Sequence, residues 1–192
     1  MEMSGEIIDR FIHLQSEARQ GCDPMTMTLA SVDERGRPTQ RTITLIQVDP
    51  QGFIFFTDSR SRKAGHFTHQ PYASLCVYWH QLHVQIAIEG NVEVIDDMQS
   101  DNYWGNRERD GQISAWASHQ SEELASKQEL FDRVETVKNK YRDLQVPRPA
   151  HWICYRIVPE RVEFWNTGWK RLHERVCYQQ INGAWKKFLL SP

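Results

Sequence analysis

The sequence has no excess of basic residues, no long apolar run and no secretion signal. Its 23 Lys and Arg are balanced by 25 Asp and Glu, for a net charge of −2, so neither nucleic acid nor anionic lipid is expected as a partner. No apolar run approaches the roughly 20 residues that span a bilayer. The first residues lack the basic and apolar regions of a signal peptide. We therefore expect a cytoplasmic protein.

The cysteines are too far apart to form a metal-binding or redox motif. They are Cys22, Cys76, Cys154 and Cys177. The sequence contains no CxxC pair and no zinc-ligand spacing. We therefore predict reduced, buried thiols and no metal site.

Aromatic residues are abundant, with seven Trp, six Tyr and eight Phe among 192 residues. Aromatic side chains fill cores, but they also line sites for flat ligands. The length suits one domain over residues 1–192, with an N-terminal helical segment at 1–20 and C-terminal strands within 147–192. No internal repeat or low-complexity segment divides it.

Alternating polar and apolar residues predict a mainly β protein with a few helices. Short polar turns such as Asp49-Pro50-Gln51-Gly52 favour antiparallel pairing over βαβ units. The predicted strands are 26–32, 39–48, 53–57, 72–80, 84–95, 151–158, 161–167, 171–179 and 184–190. The predicted helices are 4–20, 61–70 and 97–107, together with a long one that Ser121 caps and that runs to Tyr141. This pattern indicates an antiparallel barrel or strongly curved sheet with peripheral helices.

Arg171, His173 and Arg175 alternate along the predicted strand that follows Trp165. Residues at i, i+2 and i+4 of a strand face the same way. The pattern therefore predicts a surface that meets an anion and a flat ring. The alternative is an exposed edge strand, whose charges guard against aggregation.

Arg62 and Lys63 lie in the first turn of the helix that Ser61 is predicted to cap. Cations at this position oppose the helix dipole. They are best tolerated when an anion is shared between the basic side chains and the free backbone N–H groups. The alternative is a pair of ordinary surface cations.

Three further polar residues are candidates for ligand contacts. Gln85 lies among apolar residues of a predicted strand, so its amide either addresses a ligand or bonds a neighbouring backbone. Tyr103 and Arg107 are four residues apart on a predicted helix and so share a face.

Nine blocks of sequence occur in a defined order from about residue 20 to Pro192. They are Arg41-Thr42-Ile43-Thr44-Leu45, Phe55-Phe56-Thr57, Ser61-Arg62-Lys63-Ala64, Gln85, Tyr103 to Arg107, Gln112-Ile113-Ser114-Ala115-Trp116-Ala117-Ser118, Gln120-Ser121, Glu163-Phe164-Trp165 and Arg171 to Arg175. Together they resemble the pyridoxine/pyridoxamine 5′-phosphate oxidase family of FMN-binding split barrels. The Ala115-Trp116 and Arg171-Leu172-His173 blocks are the most specific.

The resemblance implies a homodimer that binds two FMN molecules at its subunit interface. The positions that match FMN-binding residues are Arg41, Thr42, Ile43, Thr44, Phe56, Thr57, Arg62, Lys63, Gln85, Gln120, Ser121, Trp165 and Arg175. The partner subunit is expected to supply Trp165 and Arg175. Paired guanidinium and ammonium groups suit a phosphate monoester, and an aromatic shelf with an amide suits a flavin.

The resemblance also implies a small-molecule substrate and a reaction. Arg171 and His173 match catalytic residues that hold a pyridine ring against the flavin, and Tyr103 and Arg107 match residues that bind the substrate phosphate. In this family a hydride passes from the substrate to flavin N5, and O2 then reoxidises the flavin to give H2O2.

Three positions depart from the family in the substrate pocket. Ile46 replaces a phosphate-binding Lys, Gly111 replaces a phosphate-binding Ser, and Val84 replaces an Arg. These departures resemble the phenazine-biosynthesis branch, whose substrates carry no phosphate ester. Three hypotheses follow: a pyridoxamine 5′-phosphate oxidase, a phenazine-type flavin oxidase and a non-catalytic FMN-binding protein.

Overall fold

Eight antiparallel strands and five α-helices make up the computed structural model, which describes residues 2–19, 23 and 25–192. The strands are β1 (Thr26–Val32), β2 (Pro38–Asp49), β3 (Gly52–Asp58), β4 (Tyr72–Trp79), β5 (Val84–Val94), β6 (Trp152–Asn166), β7 (Glu174–Ile181) and β8 (Ala184–Leu190). The helices are α1 (Gly5–Ala18), α2 (Arg62–His69), α3 (Asp97–Gly105), α4 (Arg109–Ala117) and α5 (Lys127–Lys140). Short 3-10 turns span His80–Leu82 and Trp169–Arg171.

Six of these strands close into a barrel. They hydrogen-bond in the order β3-β2-β1-β4-β5-β6, and β6 returns to pair with β3. The hairpin β7–β8 extends the sheet beyond β6, outside the closed ring. The antiparallel barrel predicted from the sequence is therefore confirmed, and closure removes most free edges.

The barrel core is apolar and includes one face of the N-terminal helix. Ile7 and Phe11 of α1 are fully buried, as their spacing of four residues predicts. The Phe11 ring centroid lies 5.2 Å from that of Phe53 and 5.8 Å from that of Trp79. The N-terminal helix is therefore part of the core.

A second apolar cluster lies under the helices α3 to α5. Trp104 and Trp152 meet edge to face at 5.1 Å, and Ile113 packs with them. Nη1 of Arg109 donates a hydrogen bond to the Leu144 carbonyl at 3.1 Å, which ties α4 to the end of α5. Packing in this cluster holds α3 to α5 in place, and with them the substrate-pocket candidates Tyr103, Arg107 and Gly111.

The long strand β6 contains an extra residue. Glu89 of β5 pairs with Arg161 and Gly90 pairs with Pro159, so Glu160 has no partner on β5 and forms a β-bulge. A Cβ added at Gly90 would lie 2.0 Å from the Val158 carbonyl oxygen. The strand therefore runs close against Gly90 at the bulge. The sequence prediction of two strands, 151–158 and 161–167, was wrong because β6 continues through Pro159.

The structure also corrects the C-terminal strand prediction. β7 begins at Glu174, whereas Arg171 closes a 3-10 turn with φ of 68° and His173 lies between the two elements. The prediction that Arg171, His173 and Arg175 alternate on one strand was therefore wrong. The predicted Asn182-Gly183 turn is confirmed, with φ of 51° and 79°.

Two helix predictions need correction. Ser121 does not cap the long helix, because α5 begins at Lys127 and Ser126 accepts the capping hydrogen bond from Glu129 N. Ser121 instead has φ of 74° in the preceding loop. α3 ends at Gly105, so Arg107 lies in the turn after it and does not share a helical face with Tyr103.

Parts of two predictions lie outside the described residues: Gln20, at the end of the first predicted helix, and Cys22. Cys154 and Cys177 are buried free thiols, and Cys76 is half-buried and also free. Of the helices that the structure describes, none is long and apolar enough to cross a membrane.

Candidate active site

Lys63 lies at the centre of a hydrogen-bonded cluster at one end of the barrel. It is 8% exposed, in the first turn of α2. Its Nζ donates to Thr57 Oγ1 at 2.8 Å, to Gln120 Oε1 at 2.6 Å and to Ser61 Oγ at 3.3 Å. The cluster therefore joins the end of β3, the start of α2 and the loop after α4.

Arg41 enters the same cluster from β2. Its Nη1 donates to Ser31 Oγ at 2.7 Å and to the Leu29 carbonyl at 3.3 Å, and its Nη2 bonds the Thr39 hydroxyl. These bonds fix the guanidinium fork from the barrel side.

A cavity of about 360 Å³ opens beside these cations. It is lined by Thr39, Gln40, Arg41, Thr42, Arg62, Lys63, Gln120 and Ser121. The Arg62 backbone N–H donates to Ser121 Oγ at 3.3 Å, and none of the described lining residues is a carboxylate. Five of the residues predicted to hold the FMN phosphate and ribityl chain thus meet in one cavity.

The electrostatics of this cavity suit an anion. Burial lowers the pKa of Lys63 to about 8, with a further contribution from Arg41. Burial also lowers the pKa of Arg41, and Arg62 adds to the effect. Asp58 acts in the opposite direction on the pKa of Lys63, but it is paired with Arg60. Three cations that line one cavity suit a phosphate group in charge.

The other residues of the predicted FMN set on β2 and β3 differ in exposure. Thr42 and Thr44 are exposed, whereas Ile43 is 7% exposed and its side chain belongs to the barrel core. Any ligand contact of Ile43 must therefore come from its backbone. Phe56 is half-buried and stacks on Trp152, with ring centroids 5.0 Å apart.

Arg107 lies in the adjoining substrate-pocket candidate. Its guanidinium carbon is 4.1 Å from the centroid of the Phe56 ring. Its Nε is buried and has no hydrogen-bond partner among the described residues, and desolvation lowers the pKa of the group. A half-buried cation with an unused, buried donor suits an anionic ligand.

Gly111 borders Arg107, and Ile46 packs on the apolar cluster nearby. A Cβ at Gly111 would lie 2.8 Å from Arg107 Nε and 3.1 Å from its guanidinium carbon. Ile46 packs on the same apolar cluster as Phe56 and Tyr103. The Tyr103 hydroxyl donates to Gln47 Oε1 at 3.1 Å.

A second, smaller cavity of about 170 Å³ joins the two regions. Thr57 and Gln120, which bond Lys63, line it together with Arg107 and Phe56. The Lys63 cluster and the Arg107 pocket are therefore neighbours within one protomer.

Trp165 belongs to a separate group of candidate residues near the C-terminus. On the sheet it pairs with Gln85 of β5 on one side and with Arg175 of β7 on the other. Its ring centroid lies 4.5 Å from that of His173, whose Nδ1 accepts a hydrogen bond from Gly168 N at 3.2 Å. The Gln85 amide is half-buried, and its side chain makes no hydrogen bond to any described residue.

Glu163 holds Arg175 in place, a role that the sequence pattern did not reveal. Nε of Arg175 donates to Oε1 of Glu163 at 2.7 Å, and Nη2 donates to Oε2 at 3.1 Å. Glu163 is 6% exposed; burial raises its pKa, but the bonds from Arg175 and Arg161 outweigh this and lower the pKa overall. The two residues meet because of the pairing between β6 and β7, which no short stretch of sequence encodes. The Glu-Phe-Trp block was therefore the only signal in the sequence.

The candidate residues thus form two groups. No hydrogen bond or ring contact within the described part of one protomer joins the Lys63 cluster to the Trp165 group. Arg171 is exposed in its left-handed turn and has no side-chain partner among the described residues. The C-terminal group is accessible for contact with another molecule.

A six-stranded split barrel with a clustered anion site defines the class to which this protein belongs. Residues 14–141 match the family model described as pyridoxamine 5′-phosphate oxidase. Residues 152–192 match the model described as the pyridoxine 5′-phosphate oxidase C-terminal dimerisation region. The chain therefore belongs to the pyridoxamine 5′-phosphate oxidase family, whose cofactor is FMN.

Relatives and solved structures agree with this assignment. A pyridoxine/pyridoxamine 5′-phosphate oxidase of Myxococcus xanthus (strain DK1622) is 43% identical over 187 residues, which cover 96% of this chain and 91% of that protein. PhzG from Burkholderia lata 383, solved with tetrahydrophenazine-1-carboxylic acid, is 30% identical with a TM-score of 0.91, covering 97% of this chain and 91% of PhzG. A related FMN-binding protein from Nostoc punctiforme PCC 73102 shares the fold, with a TM-score of 0.79 at 18% identity and coverage of 98% and 96%.

Proposed function

We propose that this protein is an FMN-dependent oxidase that acts as a homodimer on a small aromatic substrate. The observation that carries the proposal is the group of three cations, Arg41, Arg62 and Lys63, around one cavity without a paired carboxylate among the described residues. That cavity adjoins the Arg107 pocket through Gln120, so a cofactor and a substrate would lie next to each other. We also propose one domain over residues 1–192; the cytoplasmic location stays a prediction.

The cofactor residues would divide between the two protomers. Lys63, Arg41 and Arg62 would hold the FMN phosphate, with Thr57, Gln120 and Ser121 beside it. Gln85 would address the flavin ring. Trp165 and Arg175 would come from the partner protomer, because in one protomer they lie in the separate C-terminal group that the dimerisation-region match covers. Bound FMN would supply a hydride acceptor and a route for electrons to O2.

Arg171 and His173 would orient the substrate. His173 Nδ1 accepts the Gly168 N–H, so the proton of a neutral ring lies on Nε2, free to donate to a substrate oxygen. Packing on Trp165 fixes the plane of the imidazole. The exposed Arg171 guanidinium would contribute a second donor, and together they would hold the reacting carbon in place.

The anion end of the substrate would meet Arg107 and Tyr103. A family Lys and a family Ser are replaced by Ile46 and Gly111, so one guanidinium and one phenol remain as donors. A planar carboxylate suits a single guanidinium fork, whereas a phosphate dianion against Ile46 is poorly solvated. The second candidate function is therefore a phenazine-type oxidation of an aromatic carboxylate, which the likeness to PhzG favours.

The deciding experiment is to purify the protein, record its visible spectrum and assay peroxide release. Pyridoxamine 5′-phosphate and a reduced aromatic carboxylate are the two test substrates. A flavin spectrum without turnover of any reduced aromatic substrate would support the non-catalytic hypothesis. A protein that purifies without FMN and does not bind added FMN would refute the proposal.

Ile46→Lys separates the two substrate classes. If phosphate binding is weak because Ile46 lacks an ammonium, this change should lower the KM for pyridoxamine 5′-phosphate by roughly tenfold to a hundredfold, as a charged hydrogen bond of about 1.5–3 kcal/mol implies. Ile46→Met is the matched control, since it changes shape without adding charge. An equally low KM in the parent and in Ile46→Lys would support the pyridoxamine 5′-phosphate assignment.

A further inference from the structure

A hydrogen-bonded chain of buried residues lies directly behind Arg41. Ser31 of β1 is 3% exposed, and His66 of α2 is 6% exposed. Ser31 Oγ accepts a hydrogen bond from Arg41 Nη1 at 2.7 Å and lies 2.9 Å from His66 Nδ1. Neither residue is among the described lining of the phosphate cavity, and the proposed reaction uses neither.

The direction of the bonds in this chain follows from counting protons. A serine hydroxyl has one proton to donate and two lone pairs to accept with. Because Ser31 accepts from Arg41, its own proton is available for His66 Nδ1. When Ser31 donates that proton to Nδ1, the imidazole is neutral and carries its own proton on Nε2.

The surroundings of His66 favour the neutral ring. Burial lowers the pKa of His66, and the positive charges of Arg41 and Arg62 lower it further. Asp33 acts in the opposite direction, and His69 adds to the lowering. A neutral ring is the form that can accept a hydrogen bond from the Ser31 hydroxyl at Nδ1.

We propose that His66 is a positioning residue for the phosphate end of the cofactor site, acting through Ser31 on Arg41. The inference rests on the proposed FMN function. With His66 as acceptor, the Ser31 hydroxyl has one orientation, and its lone pair faces Nη1 of Arg41. Thr39 bonds the other terminal nitrogen of the fork, so both are held before an anion arrives.

The alternative is that His66 only fills space in α2. An apolar residue of similar size would then serve equally well, since Phe67 and Ala64 of the same helix are already in the core. A polar ring with Nδ1 2.9 Å from a hydroxyl, which is itself bonded to a cavity-lining arginine, is a more specific arrangement.

Three variants of the holoprotein test the proposal. His66→Leu removes the acceptor and keeps an apolar side chain. His66→Asn keeps a polar amide near the position of Nδ1 but cannot titrate. His69→Leu is the matched control, because it changes an exposed histidine of the same helix. FMN retention is measured by equilibrium dialysis, and the 31P resonance of bound FMN reports on the phosphate surroundings.

We expect His66→Leu to raise the Kd of FMN about threefold to tenfold, as the loss of one hydrogen bond implies, and to shift the 31P resonance. His66→Asn should restore most of the affinity, and His69→Leu should match the parent. If His66→Leu does not fold, Ser31→Ala breaks the same link and should give the same loss.

Two results would overturn the inference. One is parental FMN retention in both His66→Leu and Ser31→Ala. The other is an equal loss in the Leu and Asn variants, which would indicate packing alone. A parent protein that retains no FMN would refute the proposed function instead, so the two failures are distinguishable.

Discussion

Arg107 occupies the space that a side chain at position 111 would need: a Cβ added to Gly111 would lie 2.8 Å from Nε of Arg107. Real Cβ atoms do not approach that closely, so a side chain at position 111 would require the flexible Arg107 guanidinium on the Phe56 ring to shift. Gly111 therefore leaves room for the Arg107 guanidinium in its present position.

Gly111→Ala should displace Arg107 from Phe56 and weaken binding of an anionic substrate. The lost cation–π contact and the altered donor position together imply a rise in KM of about tenfold. Gly105→Ala is the control, because no atom lies within 4 Å of a Cβ at Gly105. Steady-state kinetics of peroxide release measure both.

A double-mutant cycle shows whether the effect acts through Arg107. In an Arg107→Ala background, Gly111→Ala should have almost no further effect on KM. Additive losses would contradict the proposed competition for space and would indicate that residue 111 meets the substrate itself.

The pKa of Lys63 predicts how FMN binding depends on pH. Burial lowers this pKa to about 8, whereas a bound dianion favours the charged form and raises it. Above this pH, FMN binding must therefore be accompanied by uptake of a proton. The affinity for FMN should fall as the pH rises beyond about 8, and the fall should approach about tenfold per pH unit. Dialysis at several pH values measures the slope.

Lys63→Met should remove that slope and weaken FMN binding below pH 8 by roughly tenfold to a hundredfold. Lys127→Met, which removes an exposed lysine at the start of α5, is the matched control and should keep the parental profile. An unchanged slope in Lys63→Met would assign the titration to another group.

Mixed dimers test whether each active site draws on two protomers. Arg171→Ala should keep FMN and lower kcat/KM about a hundredfold, because a misplaced reacting carbon is costly. Lys63→Met should leave its site largely empty at an FMN concentration near the parental Kd, because it binds FMN roughly tenfold to a hundredfold more weakly. When the two variants are refolded together, heterodimers have one intact site, so recovery should reach about a quarter of parental activity.

Failure to recover activity from folded heterodimers would place Lys63 and Arg171 in the same protomer's site. A mixture of His173→Ala and Arg171→Ala is the built-in control. Both residues belong to the C-terminal group, so heterodimers of that pair contain no intact site under either arrangement.

Local patterns were sufficient to predict most strands and the start of the helix that carries Arg62 and Lys63. The period-two alternation from Thr26 to Val32 and the Asn182-Gly183 turn each depend on neighbouring residues, and both were predicted correctly. The position of Arg62 and Lys63 at the start of a helix was also predictable from Ser61 and Pro71.

Features set by tertiary contacts could not be predicted in this way. The cap at Ser126 is an exception, because Glu129 three residues later completes a local capping-box pattern that Ser121 lacks and that could have been recognised. Arg171 lies in a left-handed turn, although its alternation with His173 and Arg175 is typical of a strand. The bond from Arg175 to Glu163 depends on strand register, which no local pattern encodes.

The bulge at Glu160 reverses the inside and outside of β6. Before it, the odd-numbered Tyr155 and Ile157 face the barrel core; after it, the even-numbered Val162 and Phe164 do. If Glu160 instead paired in regular register, without the bulge, the second half of the strand would be turned over. Trp165 would then point into the barrel, and its contact with His173 would be lost. The chemistry of the C-terminal group therefore depends on the parity of a single unpaired residue.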